Sequence, residues 1–288
     1  MKRGEKESLC LEKVKMEMFS DLTNDALNEN PHYNLDFDKN YFGLLEDERA
    51  EFVNIIREAK PNPSSSEFPD FIFADGFIEH FQITSSRHTH KGATHTKKES
   101  EFQRRVDTET KKLEEEWNKK PCFDSIRSES WAFQNPEHSH AFLMSSFKDS
   151  WEKHLESRKK FTGKKEIGIF MVEYPEVALA MCENVYCNWI DGMSQGDMRE
   201  QEEFKEYRLS RDKELLTYIY GFRNEIKYVI FINLTRCEII RTESIPYLLQ
   251  LMPWDYAIYP MQVCTLATVQ NISVPNPFVK GEEKRDKT

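Results

Sequence analysis

The stretch that decides the fold is PDFIFADGFIEHFQ, residues 69–82. Two short apolar runs, Phe71–Phe73 and residues 77–84, flank Ala74-Asp75-Gly76. Asp-Gly between apolar runs is a strong signal for a tight turn joining antiparallel strands. Pro69 is tolerated at a strand start, where the ladder asks no hydrogen bond of it, and it leaves Asp70 at the mouth of the sheet. Strand alternation puts Phe77, Glu79, Phe81 and Ile83 on one face and Ile78, His80, Gln82 and Thr84 on the other. A carboxylate flanked by phenylalanines is unusual for a solvated face, so Glu79 stands out beside Asp70.

Upstream, residues 44–60 (LLEDERAEFVNIIREAK) read as a helix whose Leu45, Phe52, Ile55, Ile56 and Ala59 form one stripe. Glu48 falls on that stripe, with Glu51 as its neighbour. A buried carboxylate is costly unless compensated. Either a metal ion compensates Glu48, or the residue lies at the stripe edge and reaches water. The loop PNPSSSEFP ends the helix.

Downstream, RHTHKGATHTKK leads into a long charged helix over residues 99–118. Residues 86–113 carry eight Lys or Arg against four acids, a local +4 in a chain of net charge −10. That is either a groove for phosphates or a solvated helix with i,i+4 pairs. His88, His90 and His95 follow His80. His-x-His ligates zinc when both rings share a strand face; otherwise these are loop histidines, or phosphate contacts beside Arg87 and Lys91.

The remainder supplies the core. Ile167–Glu173 (IGIFMVE) and residues 228–234 (YVIFINL) are apolar on both faces, as buried strands are. Cys237–Arg241 suggests a third strand. Residues 146–160 and 205–221 and Ile245–Leu251 read as helices. Residues 121–145 read as aromatic and irregular. Glu173 and Asp191 are isolated acids: either could complete a site, or simply be solvated, as an acid at a strand end usually is. These elements predict an α/β (α+β) fold: a central mixed sheet flanked by helices, in one domain over residues 1–280. Residues 1–43 read as an irregular N-terminal segment, and residues 281–288 as a disordered charged tail.

Composition narrows the function. The 288 residues are 39% apolar and 31% charged, a globular balance. With only ten glycines, neither GxxxxGK[ST] nor GxGxxG occurs, and HExxH is also missing. No apolar run approaches 18 residues, so no membrane partner is expected. The N-terminal segment is charged throughout and lacks the apolar core of a signal peptide, which points to the cytoplasm. The six cysteines, scattered at 10, 122, 182, 187, 237 and 264, complete no zinc set and read as buried thiols.

A helix glutamate, then Pro-Asp, a hairpin and an acidic strand: over residues 44–113 this resembles the PD-(D/E)XK, or restriction-endonuclease-like, nuclease superfamily. The resemblance implies a Mg²⁺ (or Mn²⁺) ion held by Glu48, Asp70 and Glu79. Catalysis would rest on Asp70, Glu79 and Gln82, with Gln82 placing the attacking water. It implies that Arg87, Lys91, Lys97 and Lys98 meet a nucleic acid backbone. The superfamily's lysine two residues after the strand acid is Phe81 here. A β-bulge would bring Glu79 and Gln82 onto one face; a register shifted by one reads His80-x-Gln82 instead; Lys91 could substitute from the loop. The implied activity is divalent-metal-dependent hydrolysis of phosphodiester bonds in DNA or RNA. The alternative is a catalytically inactive nuclease-fold protein that binds nucleic acid or protein.

Overall fold

In the computed structural model the described residues are 3–24, 41–43, 46–64, 67–89, 92–119, 125–134, 137–176, 178–183, 203–204, 206–233, 237–252, 255–261 and 264–273. The chain divides into two compact units, residues 1–88 with 137–261, and residues 89–136 with 262–288. The single domain expected over residues 1–280 is thus two units. The second is interleaved with the first in sequence, and no Pro/Ser-rich linker marks its borders.

The first unit runs α1 (Arg3–Asn24), β1 (Tyr41–Gly43), α2 (Glu46–Glu58), β2 (Lys60–Pro61), β3 (Phe71–Phe73) and β4 (Gly76–Gln82). After β5 (His88–Thr89), β6 (Gly92–Ala93), α3 (Thr94–Lys119) and β7 (Ser125–Gln134) it resumes with α4 (His140–Lys160), β8 (Ile167–Glu173), β9 (Leu179–Glu183) and β10 (Glu203–Phe204). It continues with α5 (Lys213–Tyr220), β11 (Tyr228–Ile232), β12 (Cys237–Arg241), α6 (Ile245–Leu251) and β13 (Tyr256–Pro260), and β14 (Cys264–Ser273) follows.

Among the described residues, seven strands form the main sheet in the order β1-β12-β11-β8-β4-β3-β2. β3 and β4 pair antiparallel around the Asp-Gly turn, as their sequence predicts. β4 then pairs parallel with β8, and β8 parallel with β11. β8 and β11 are covered on both sides, which is why their sequences are apolar at every position. The sheet is therefore mixed and lies between helical layers. On one face α1 and α2 place Leu11, Val14, Phe52, Ile55 and Ile56 against Ile78, Ile169, Met171 and Ile230. On the other, α4, α5 and α6 place Leu143, Phe147, Trp151, Leu216 and Leu248 against Phe77, Phe81, Phe170, Val229 and Phe231.

Three segments differ from expectation. Within the N-terminal segment, Arg3–Asn24 is helical as α1, because Cys10, Leu11 and Val14 make a narrow stripe among its charges, buried against the sheet. Within residues 121–145 lie β7 and the start of α4. β7 pairs antiparallel with β14, a partner far along the chain, and α4 starts at His140 because Ser139 accepts a hydrogen bond from Phe142 N–H at its N-terminus. Within residues 205–221 the helix is only α5, started by the Asp212 cap on Leu215 N–H and preceded by a 3₁₀ turn. The tail from residue 281 lies outside the described residues.

In the second unit, Phe102 and Val106 of α3 pack with Trp131 and Ala267. The Trp131 indole N–H donates to Glu109 Oε2 at 2.8 Å.

Candidate metal centre

The register of the β3–β4 hairpin builds the site. Phe71 lies opposite Ile78, so Asp70 sits just beyond the paired strand, level with Glu79 and His80. The Asp70 N–H donates to Glu79 Oε2 at 3.1 Å, and the His80 N–H donates to Asp70 Oδ2 at 2.8 Å. Asp70 is buried, and this second bond fixes its carboxylate at the edge of the sheet.

From there alternation separates two faces. His80 and Gln82 project toward the α1 layer, and the parallel β4–β8 register sets Gln82 opposite Glu173. His80 Nε2 lies 3.0 Å from Glu173 Oε2, and Gln82 Nε2 donates to the same oxygen at 2.6 Å. A carboxylate oxygen only accepts, so Nε2 of His80 carries the proton. Lys6 Nζ approaches the same oxygen at 3.9 Å. Helix α1 crosses this corner and brings Glu7 and Cys10, one turn apart, onto it. Two sets of donor atoms result. Those of Glu7, Asp70 and His80 lie within 4.8 Å of one another, as do those of Cys10, His80 and Glu173. Both have the composition and spacing to hold a metal ion.

The charges agree with this crowding. Burial pushes the Glu173 carboxyl up, but hydrogen bonds from His80 and Gln82, with the positive charge of Lys6, outweigh it and hold it below the usual carboxylate range. The Cys10 thiol moves the other way. Burial, together with the negative charge and hydrogen bonding of Glu173, pushes it up to about 12.

Of the residues picked out by sequence, Asp70 and His80 share a donor set, and Gln82 bonds to Glu173. Glu79 is on the opposite face, with Phe77 and Phe81: its Oε1 lies 2.6 Å from His154 Nδ1 of α4, and its Oε2 takes the Asp70 N–H. Glu48 is paired with Arg241 of β12. That strand is three positions from β4 in the sheet, a separation of about 14 Å. The buried-stripe argument for Glu48 thus ends in an arginine partner. Arg87 is exposed at the end of the first unit, and Lys97 and Lys98 are exposed on α3 of the second. Lys91 and His90 lie outside the described residues, as does Asp191.

Sequence reasoning passed over Glu7, Lys6 and Cys10 because the first residues read as irregular, and it treated Glu173 as isolated. A signal for Glu7 was present. Glu7, Cys10, Leu11 and Val14 stand at helical spacing, so Glu7 is a carboxylate on an apolar stripe by the same criterion that singled out Glu48.

A second buried polar cluster lies just past β4. Ser85 Oγ is 2.8 Å from His138 Nδ1, 2.7 Å from the Tyr174 hydroxyl and 2.9 Å from Glu176 Oε2. Although it contains Ser, His and an acid, it is not a nucleophilic triad. The carboxylate contacts the serine itself, the His138 Nδ1 faces that same serine, and Ser85 is fully buried. Burial pushes the Glu176 carboxyl up, but bonds from His138, Thr84 and Ser85 more than offset this and hold it low. Glu176 also accepts from Ser85 N–H at 2.8 Å, and Ser139 N–H donates to Ser85 O at 3.0 Å.

No protein-family model, no characterised protein and no solved structure matches the chain. Among the described residues, no helix is long and apolar enough to cross a membrane.

Proposed function

We propose that this chain is a divalent-metal-dependent nuclease of the restriction-endonuclease-like type, with its metal ligands drawn from Glu7, Asp70 and His80. The observation that carries the reading is the convergence of those three donors from α1, the start of β3 and β4. A glutamate of the first helix, the Asp of Pro-Asp and a residue of the following strand is the ligand plan of the PD-(D/E)XK superfamily, here with histidine at the strand position. Two carboxylates and an imidazole suit Mn²⁺ better than Mg²⁺, since the transition-metal ion accepts a nitrogen ligand more readily than the harder Mg²⁺ does. When bound, such an ion binds the scissile oxygens and lowers the pKa of an attacking water.

The remaining parts fall to the chain's own residues. Gln82, anchored by Glu173, is placed two residues beyond His80 to orient water. Lys6 supplies the positive charge that the strand lacks at Phe81 and Gln82. Arg87, Lys91, Lys97 and Lys98 are assigned to the nucleic acid backbone. A cytoplasmic setting belongs to the same proposal; Cys10, Cys182 and Cys237 are not in disulfides.

One observation favours a second reading, the catalytically silent binding subunit. The strand acid Glu79 has both oxygens engaged, by His154 and by the Asp70 amide. Cleavage of labelled single- and double-stranded DNA and RNA, with Mn²⁺, with Mg²⁺ and with chelator, separates the two. The nuclease reading expects Mn²⁺-dependent cleavage lost in Asp70→Asn. No cleavage of any of these substrates, combined with retained nucleic acid binding, would leave the binding subunit.

A further inference from the structure

His80 belongs to two donor sets of different chemical character. On one side Glu7 and Asp70 complete it with hard oxygen atoms; on the other, Cys10 and Glu173 complete it with sulfur and oxygen. The second set takes one residue each from α1, β4 and β8. Thiolate, imidazole and carboxylate are the ordinary zinc donors, and three protein ligands with one open position describe a zinc site able to hold water. Closing the set onto an ion with bonds of about 2.0–2.3 Å falls mainly to Glu173, the longest of the three side chains and the more exposed of the His80–Glu173 pair.

We propose that Cys10, His80 and Glu173 form a Zn²⁺ site, and that its use of His80 makes zinc and the hard-ion set Glu7–Asp70–His80 mutually exclusive. Binding forms the sulfur–zinc bond and releases the thiol proton of Cys10 to solvent. The hydrogen bond between His80 and Glu173 gives way to two bonds to the ion, and the ring proton passes through solvent from Nε2 to Nδ1, so that the neutral imidazole offers zinc a lone pair. Zinc then removes the ligand that the other ion needs, so a single imidazole sets which metal the corner carries. The proposal shares His80 with the proposed nuclease site, but its readouts do not depend on cleavage.

The test uses the full chain stripped with chelator and titrated with Co²⁺, which reports thiolate ligation through a sulfur-to-cobalt charge-transfer band. The band is expected in the wild type and in Cys182→Ser, and lost in Cys10→Ser. Zinc should displace the cobalt, and zinc affinity, measured by competition with a chromophoric chelator, should fall at least about 10-fold in Cys10→Ser. Glu173→Gln is the second variant, expected to weaken zinc while keeping the band, and it decides the matter if Cys10→Ser does not fold. Mn²⁺ binding, followed by paramagnetic resonance of the free ion, should be unchanged in Cys10→Ser, and zinc should expel Mn²⁺ from the wild type. Cobalt bound without the band, or a band that survives Cys10→Ser, overturns the site. Mn²⁺ retained under saturating zinc overturns the exclusivity. A wild type that binds zinc through Cys10 yet cleaves nothing keeps this inference and removes the nuclease reading.

Discussion

Strand β4 carries a histidine–carboxylate pair on each face, and the two pairs are built differently. On the α4 face, His154 Nδ1 meets Glu79 Oε1 at 2.6 Å, the ring stacks on Phe81 at 4.9 Å between centroids, and the other carboxylate oxygen holds the Asp70 amide. On the α1 face, His80 meets Glu173 at 3.0 Å, and Gln82, Lys6, Cys10, Glu7 and Asp70 crowd the same corner. The first pair has as many partners as it has polar atoms at the contact, which makes it a clamp between helix and sheet. The second gathers two sets of ligand-type donor atoms within 4.8 Å of one another, and that convergence is what a ligand site needs. Adjacent residues, Glu79 and His80, are thus assigned opposite roles by strand alternation alone.

The contrast breaks most sharply at Asp70. Asp70→Asn keeps an acceptor for the His80 amide but removes a charged ligand, and we expect a rate loss on the order of 100-fold or more in metal-dependent cleavage. Asp70→Ala also strands the buried His80 N–H and should cost about 1–3 kcal/mol of stability. Denaturant melts beside cleavage assays check both, and full activity in Asp70→Asn would move the site elsewhere. Asp70 is therefore not the inexpensive position that the start of a strand suggests, because its carboxylate closes the backbone of β4.

Glu79→Gln should show the reverse pattern. It should lower stability by about 1–3 kcal/mol through the His154 contact and leave Mn²⁺ affinity within about 3-fold of wild type. A variant that melts normally but no longer binds Mn²⁺ would merge the two faces into one site.

The buried Glu176 cluster offers a control for acid sensitivity. Its carboxyl is held below the usual range, so its stabilisation is complete above the unfolded value of about 4.3. That contribution is lost as pH falls through the lower folded value. Glu176→Gln should reduce stability at neutral pH and flatten the fall on the acid side, read by denaturant titrations between neutral pH and about pH 3. An unchanged acid limb would assign the sensitivity to other carboxylates. The smallest effect is expected at Gln82, which is exposed. Gln82→Ala should slow cleavage about 10-fold and alter stability by less than about 1 kcal/mol. A 1000-fold loss there would make Gln82 a ligand in its own right.

Much of this fold is legible in the sequence. β8, β12 and α6 occupy the residues their sequences suggest, and the Asp-Gly turn placed β3 beside β4, because local pattern and tertiary burial agree at those positions. The site was half legible. Asp70 stands out by its position on the hairpin, and alternation already set Glu79 and His80 on opposite faces. What alternation could not tell was which face a helix carrying Glu7 would cover, since that depends on packing between segments far apart in sequence. Glu48 misled for the same reason: a carboxylate on an apolar stripe calls for a partner, and the stripe cannot say whether the partner is a metal ion or Arg241.

The clasp past β4 has a consequence for how this chain tolerates change. Ser86 bridges to His138 as antiparallel neighbours, and Ser85, His138, Ser139 and Glu176 are bonded across the same point. The excursion through residues 89–136 therefore leaves and returns at a closed neck belonging to the first unit. Closing a longer excursion at such a neck costs little, since the entropy of closure grows only with the logarithm of loop length, about 0.6 kcal/mol for each doubling. Lengthening or shortening the loops of that excursion is thereby decoupled from the sheet that carries Asp70 and His80, whereas removing it whole would strip β14 of its partner β7.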